Sequence, residues 1–113
     1  MTKRAEYNIK FLKVKSPLGG INYIFDTSNA IGNYKCLSFI KSLYKEEVIG
    51  LAQDINRIVQ GQPYDPDFLT SSEVYDIFNV HYTNQNFLVD GVFILNANNL
   101  LILLNEWIDF LNT

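Results

Sequence analysis

The sequence predicts an α+β fold: one antiparallel sheet of about five strands with two helices packed on it. Three observations carry that expectation. Apolar residues alternate with period two in short runs bounded by Gly, Pro and Asn. Two other segments repeat apolar residues every three or four positions. Strands follow strands without regular βαβ alternation, in the order βββαββα. The 113 residues form one domain, 1–113, long enough for a real core. Hydrophobic residues at 48% and charged residues at 19% exclude a disordered chain.

Tyr7, Ile9 and Phe11 alternate, and Leu12 and Val14 continue on the opposite phase, which reads as a strand with a bulge at Phe11–Leu12. Ser16-Pro17-Leu18-Gly19-Gly20 is a turn, and Ile21 to Asp26 alternates as a second strand. Another turn follows through Asn33. Tyr34 to Ile40 reads as a third strand, with a helix from Tyr34 onward as the alternative. Ser42 is the expected N-cap of a helix carrying Tyr44, Val48, Leu51, Ile55, Ile58 and Val59 on one stripe. Lys45, Glu46, Asp54 and Arg57 fall on or near its other side, Glu46 and Glu47 lie near its positive end, and Gly61 and Pro63 stop it. Residues 61–72 form a loop. Val74 to Tyr82 alternates, Thr83 to Gln85 bends, and Phe87 to Leu95 returns as one strand, apolar on both phases and so central. Asn96 to Asn99 offers N-caps for a last helix with Leu100, Leu103, Leu104, Trp107, Ile108 and Leu111 on its apolar side. Ile102 falls outside that stripe, so it is exposed or the helix starts elsewhere.

Charge is strongly segregated. Residues 1–45 carry +6, with eight cations against Glu6 and Asp26 alone. Residues 46–113 carry −9, with Arg57 the one cation. Such a chain pairs its halves internally or shows an acidic surface to something basic. The net charge of −3 argues against nucleic acid as a partner, since phosphate binding needs a basic field. Lys10, Lys13 and Lys15 with Tyr7 and Phe11 resemble a basic–aromatic stripe for RNA, but an edge strand protected by lysines explains them better. Cys36 is alone, so no internal disulfide forms, which fits a reducing compartment. MTKRAEYNIK has no apolar run after it and is not read as a signal peptide, and Leu100–Leu104 is too short to span a bilayer. A soluble cytoplasmic protein, monomeric or weakly dimeric, without membrane association, is the expectation.

Catalytic and metal motifs do not emerge. His81 is the one histidine, so a His-based metal site is excluded, and Asp65-Pro66-Asp67 lacks the calcium-loop pattern. Gly19-Gly20 lacks the lysine and spacing of a phosphate loop. A Cys36–His81 nucleophile pair has no activating context; a structural cysteine and a strand histidine account for both. The expectation is a non-enzymatic protein without cofactor or metal. Asp65, Asp67, Glu73 and Asp76 fall within twelve residues containing no cation, interleaved with Tyr64 and Tyr75. Carboxylates that steer an encounter and tyrosines that anchor it suit docking to a Lys/Arg-rich protein. These six are the candidate partner-binding residues.

Small size, acidity, α+β order and the ending Leu104-Asn105-Glu106-Trp107-Ile108-Asp109-Phe110-Leu111 resemble the small acidic immunity proteins of bacterial toxin–immunity systems, such as contact-dependent inhibition. The resemblance implies a cytoplasmic protein that neutralises a cognate basic toxin, often a nuclease, by stoichiometric occlusion. It assigns no residue by position. Two other readings stand beside it. One is a homo-oligomeric structural module whose basic strands meet a second copy's acidic half. The other is a small α+β enzyme with Asp76, Asp90, His81 and Tyr82 lining a pocket.

Overall fold

The computed structural model describes residues 2–63, 80–83 and 85–113. Its class is mixed helix and sheet, as expected. In chain order the elements are α1 (Lys3–Glu6), β1 (Lys10–Lys15), β2 (Ile21–Asp26), a 3-10 segment (Gly32–Ser42), α2 (Lys45–Val59), β3 (Val80–Thr83), β4 (Asn86–Val89), β5 (Val92–Asn96) and α3 (Ala97–Leu111). Among the described residues, two sheets stand in place of the expected single five-stranded sheet in βββαββα order. One is the β1–β2 hairpin; the other has the order β3-β4-β5, and every described pairing is antiparallel.

Four local corrections have physical causes. First, the chain opens with the short helix α1, closed at Tyr7, before β1 begins. Asn8 takes a left-handed φ of 59°, so the irregularity lies upstream of the expected bulge. From Lys10↔Asp26 to Lys15↔Ile21 the register is unbroken. Second, residues 34–40 are not a strand. Tyr34, Leu37 and Ile40 repeat at the three-residue period of a 3-10 turn, and Leu37, Phe39 and Ile40 are buried. Third, Phe87 to Leu95 is not one strand. Asp90 (φ 52°) and Gly91 (φ 78°) form a two-residue turn with both residues left-handed, and Val89 pairs Val92. That is the geometry Asp-Gly favours in hairpins. Fourth, the N-cap of α2 is Tyr44, not Ser42. Its N–H donates to Glu47 Oε1 at 3.0 Å, and its ring is exposed rather than part of the stripe.

The helix that closes the described chain follows its signals. Asn96 caps α3, its Oδ1 accepting from Asn99 N–H at 2.8 Å. Leu100, Leu103, Leu104 and Trp107 are buried, and Ile102 is exposed. Trp107 meets Phe11 and Phe25 at centroid distances of 4.9 and 5.3 Å, and so covers one face of the β1–β2 hairpin. Another side of α3 packs on α2, where Val48, Leu51, Ile55 and Ile58 are buried. Phe39 stacks on Phe87 at 5.4 Å, tying the 3-10 segment to the second sheet.

Two predictions follow from these contacts. Gly91→Ala forces a Cβ into a left-handed position and lowers stability by about 1 kcal/mol, while Asp90→Asn stays within about 0.5 kcal/mol, both read by urea unfolding. Tyr7 is buried and stacked on Tyr34 at 3.8 Å. Burial, then the neighbouring Tyr34, Glu6 and Glu106, pushes its hydroxyl up to about 12. An unfolded tyrosine ionises near pH ~10, so stability is intact below that pH and lost between there and the folded value. Unfolding followed across that alkaline range will show the decline, and Tyr7→Phe will flatten it.

Candidate protein-binding surface

Tyr64, Asp65, Asp67, Glu73, Tyr75 and Asp76 lie outside the described residues. In the chain they fall between α2 and β3. Gly61, with φ 70°, follows the Gln60 C-cap and ends α2, as its position in the sequence leads one to expect. The structure establishes how the described charges are partnered.

Among the described residues, the two ion pairs are local. Lys3 Nζ meets Glu6 Oε2 at 2.9 Å, and Arg57 Nη1 meets Asp54 Oδ1 at 3.4 Å. Neither joins the basic opening half to the acidic second half. Asp26 tells the same story. The Ser28 N–H, 2.9 Å from Oδ1, and then the Ser28 hydroxyl hold its carboxyl below the usual range; Lys10 and Lys41 add to this. Of the two carboxylates of residues 1–45, Glu6 is paired with Lys3 and Asp26 is held chiefly by Ser28, with Lys10 and Lys41 of the same half contributing. Lys13 donates to the Thr113 carbonyl at 3.1 Å and Lys45 to Asn112 Oδ1, neither of them an acidic side chain.

One acidic residue departs from its expected place. Asp54 is 1% exposed, buried on α2 beside Arg57 rather than on the solvent side. The helical wheel contains the signal. At about 100° per residue, Asp54 lies roughly 40° from Ile58 and roughly 60° from Leu51, at the rim of the apolar arc. Arg57 lies beyond that rim and half exposed, placed to keep the carboxylate partnered.

Several surface clefts are lined by described residues. One, of about 290 Å3, lies where α1 meets α3 and includes Arg4, Glu106 and Asp109. Its main carboxylate is already used. Glu106 accepts the Lys3 N–H at 2.8 Å and the Arg4 N–H at 3.0 Å, satisfying the opening turn of α1. The Arg4 guanidinium sits 4.7 Å over the Phe11 ring. A second cleft, of about 370 Å3, runs between α2 and α3, with Ile49, Leu101 and Ile108 as its apolar part and Gln53, Asn56 and Asn105 as amides. A third, of about 330 Å3, lies against β1 and is lined by Arg4, Ala5, Ile9, Lys10, Phe11 and Leu12.

Four residues carry the alternative reading as a pocket enzyme, among them Asp90 and Asp76. Asp90 sits at an exposed turn, and Asp76 is outside the described residues. Cys36 is a free, half-buried thiol on the 3-10 segment, and His81 lies on β3 opposite Leu88. Among the described residues, no three His, Cys, Asp or Glu side chains gather as metal ligands, and no helix is long and apolar enough to cross a membrane. No protein-family model, curated protein or solved structure matches this chain.

Glu106 is thus a structural carboxylate. Glu106→Ala leaves two backbone donors of α1 without their acceptor and lowers stability by about 1–3 kcal/mol. Hydrogen exchange will show the loss of protection concentrated in residues 3–9.

Proposed function

We propose that the chain is a non-enzymatic binding protein, an immunity-type protein of the cytoplasm that neutralises a cognate basic toxin by covering its functional surface. The supporting observation is that, among the described residues, no ion pair joins the basic half to the acidic half. Within the opening half, Lys3 pairs with Glu6, and Lys10 and Lys41 act on Asp26. The acidic stretch from Asp65 to Asp76 contains no cation of its own. An acidic segment of this kind attracts a basic partner at long range, and Tyr64 and Tyr75 supply contact area once the two meet.

A nuclease toxin fits this chemistry. Its cleft is built to hold phosphates, so a row of carboxylates competes for the same cationic groups. Neutralisation then needs one immunity molecule per toxin and no turnover. Electrostatic steering of this type accelerates association and fades as salt screens it.

Co-purification of the tagged chain from its native cell supplies the partner for the test. Asp65→Lys combined with Asp67→Lys slows association by about tenfold or more and flattens its salt dependence, read by stopped-flow mixing. Unchanged association would remove this segment from the interface. Sedimentation of the chain alone at several salt concentrations addresses the homo-oligomeric alternative, which requires a salt-sensitive assembly without any partner.

A further inference from the structure

We infer that the outer edge of β1 is a docking site for an extended, acidic segment of another protein, which adds to the β1–β2 hairpin as a third strand. This surface is separate from the acidic stretch and does not rest on the toxin-neutralising role.

The backbone supplies the first argument. Ser16 N–H donates to the Gly20 carbonyl at 3.0 Å, so this pair, one step beyond Lys15↔Ile21, is a hydrogen-bonded pair of the ladder. Such pairs alternate along an antiparallel ladder. Val14, Leu12 and Lys10 therefore bond to β2, and Phe11, Lys13 and Lys15 turn their N–H and C=O groups outward. Among the described residues, nothing is hydrogen-bonded to that outer row.

The side chains supply the second. One face of the hairpin is covered by α3 through Phe11, Phe25 and Trp107. The other presents Leu12, Val14 and Ile24 at 39, 46 and 37% exposure, with Leu12 directly opposite Ile24. Such an apolar strip beside an unpaired edge is what strand addition uses: main-chain bonds give affinity and alternate side chains give selectivity. The 330 Å3 cleft lies along the same edge, with Leu12 in its lining.

Charge decides the occupant. Lys13 and Lys15 stand on the Phe11 face, and Arg4 is held over the Phe11 ring; none of the three has an ion-pair partner among the described residues. A second copy pairing edge to edge would bring Lys13 and Lys15 against the same lysines, and like charges across a pair are destabilising. An incoming strand with carboxylates on the Lys13 face and apolar side chains beside Leu12 and Val14 satisfies both faces. Single-stranded RNA would use the cations but leave the apolar strip and the backbone edge unserved.

The probe is a fluorescent peptide of about ten residues alternating Glu and Val, titrated at low salt, where charge attraction is least screened. Saturable binding is expected, weakened about tenfold or more by raising salt to about 0.3 M. N-methylation of alternate peptide residues removes the main-chain donors while keeping charge and apolarity, and will abolish binding. Leu12→Ser with Val14→Ser, both exposed positions, lowers affinity severalfold with the circular dichroism unchanged. Absence of binding, equal binding of the N-methylated peptide, or equal binding of an oligouridylate of matched charge would each overturn the assignment.

Discussion

Helix α3 is the constraint on which the remaining structure depends. A fifteen-residue helix is marginal alone in water, and a two-stranded hairpin is no better. Here each is stabilised by the other. Trp107 and Phe110 cover Phe11, Phe25 and Tyr23 of the hairpin. The buried leucines of α3 complete the core that α2 enters from another side. Ala97 N–H donates to the Gln85 carbonyl, so the start of α3 is also tied to the β3–β4 connection. Glu106 then fastens α1 from the same helix. Elements from both ends of the sequence converge on one apolar face, and the hairpin edge owes its position to that convergence.

Charge segregation has a different origin and a different consequence. Among the described residues, the core is built from neutral side chains, apart from Asp54 at its margin. Packing therefore places few demands on the sign of surface charge, and the sequence is free to gather cations early and carboxylates late. Pairing between the two halves would have cancelled that asymmetry. Instead Lys3 and Glu6, or Lys10, Lys41 and Asp26, settle accounts within residues 1–45 and leave a cationic excess there. Long-range fields of one sign guide encounters rather than hold folds together.

Legibility followed the range of the forces involved. Ile21–Asp26, the Asn96 cap and the Gly61 stop were readable because each is set by near neighbours: alternation, one side-chain hydrogen bond, one left-handed residue. The apolar stripes of α2 and α3 were readable for the same reason, although Tyr44 and Asp54 exchanged the places expected of them. Residues 34–40 satisfied two periods at once, because Leu37 alternates with Phe39 as in a strand and repeats with Tyr34 and Ile40 as on a 3-10 ridge, and tertiary packing chose between them. At Asp90-Gly91 the apolar alternation continued across the turn and outweighed a dipeptide that should have divided the run. Helix α1 was invisible because its decisive partner, Glu106, lies more than a hundred residues away in sequence. The six proposed contact residues were chosen on charge and aromatic content alone, and they fall outside the described residues.

The partition of strands into two sheets bears directly on function. In the single sheet expected from the sequence, β1 is already an edge strand, by its lysines alone. Among the described residues, division into two sheets gives more edges than one sheet would, and an edge must be covered, shortened or charged if the protein is to stay soluble. The spacing of Lys10, Lys13 and Lys15 meets that need on β1, and the lysines were legible as edge protection from sequence alone. Protection of this kind is selective rather than absolute. It repels a strand that carries the same charge and leaves the main-chain groups available to one that carries the opposite charge. The lysines that keep β1 from pairing with itself therefore also define the chemistry of any strand that can pair with it.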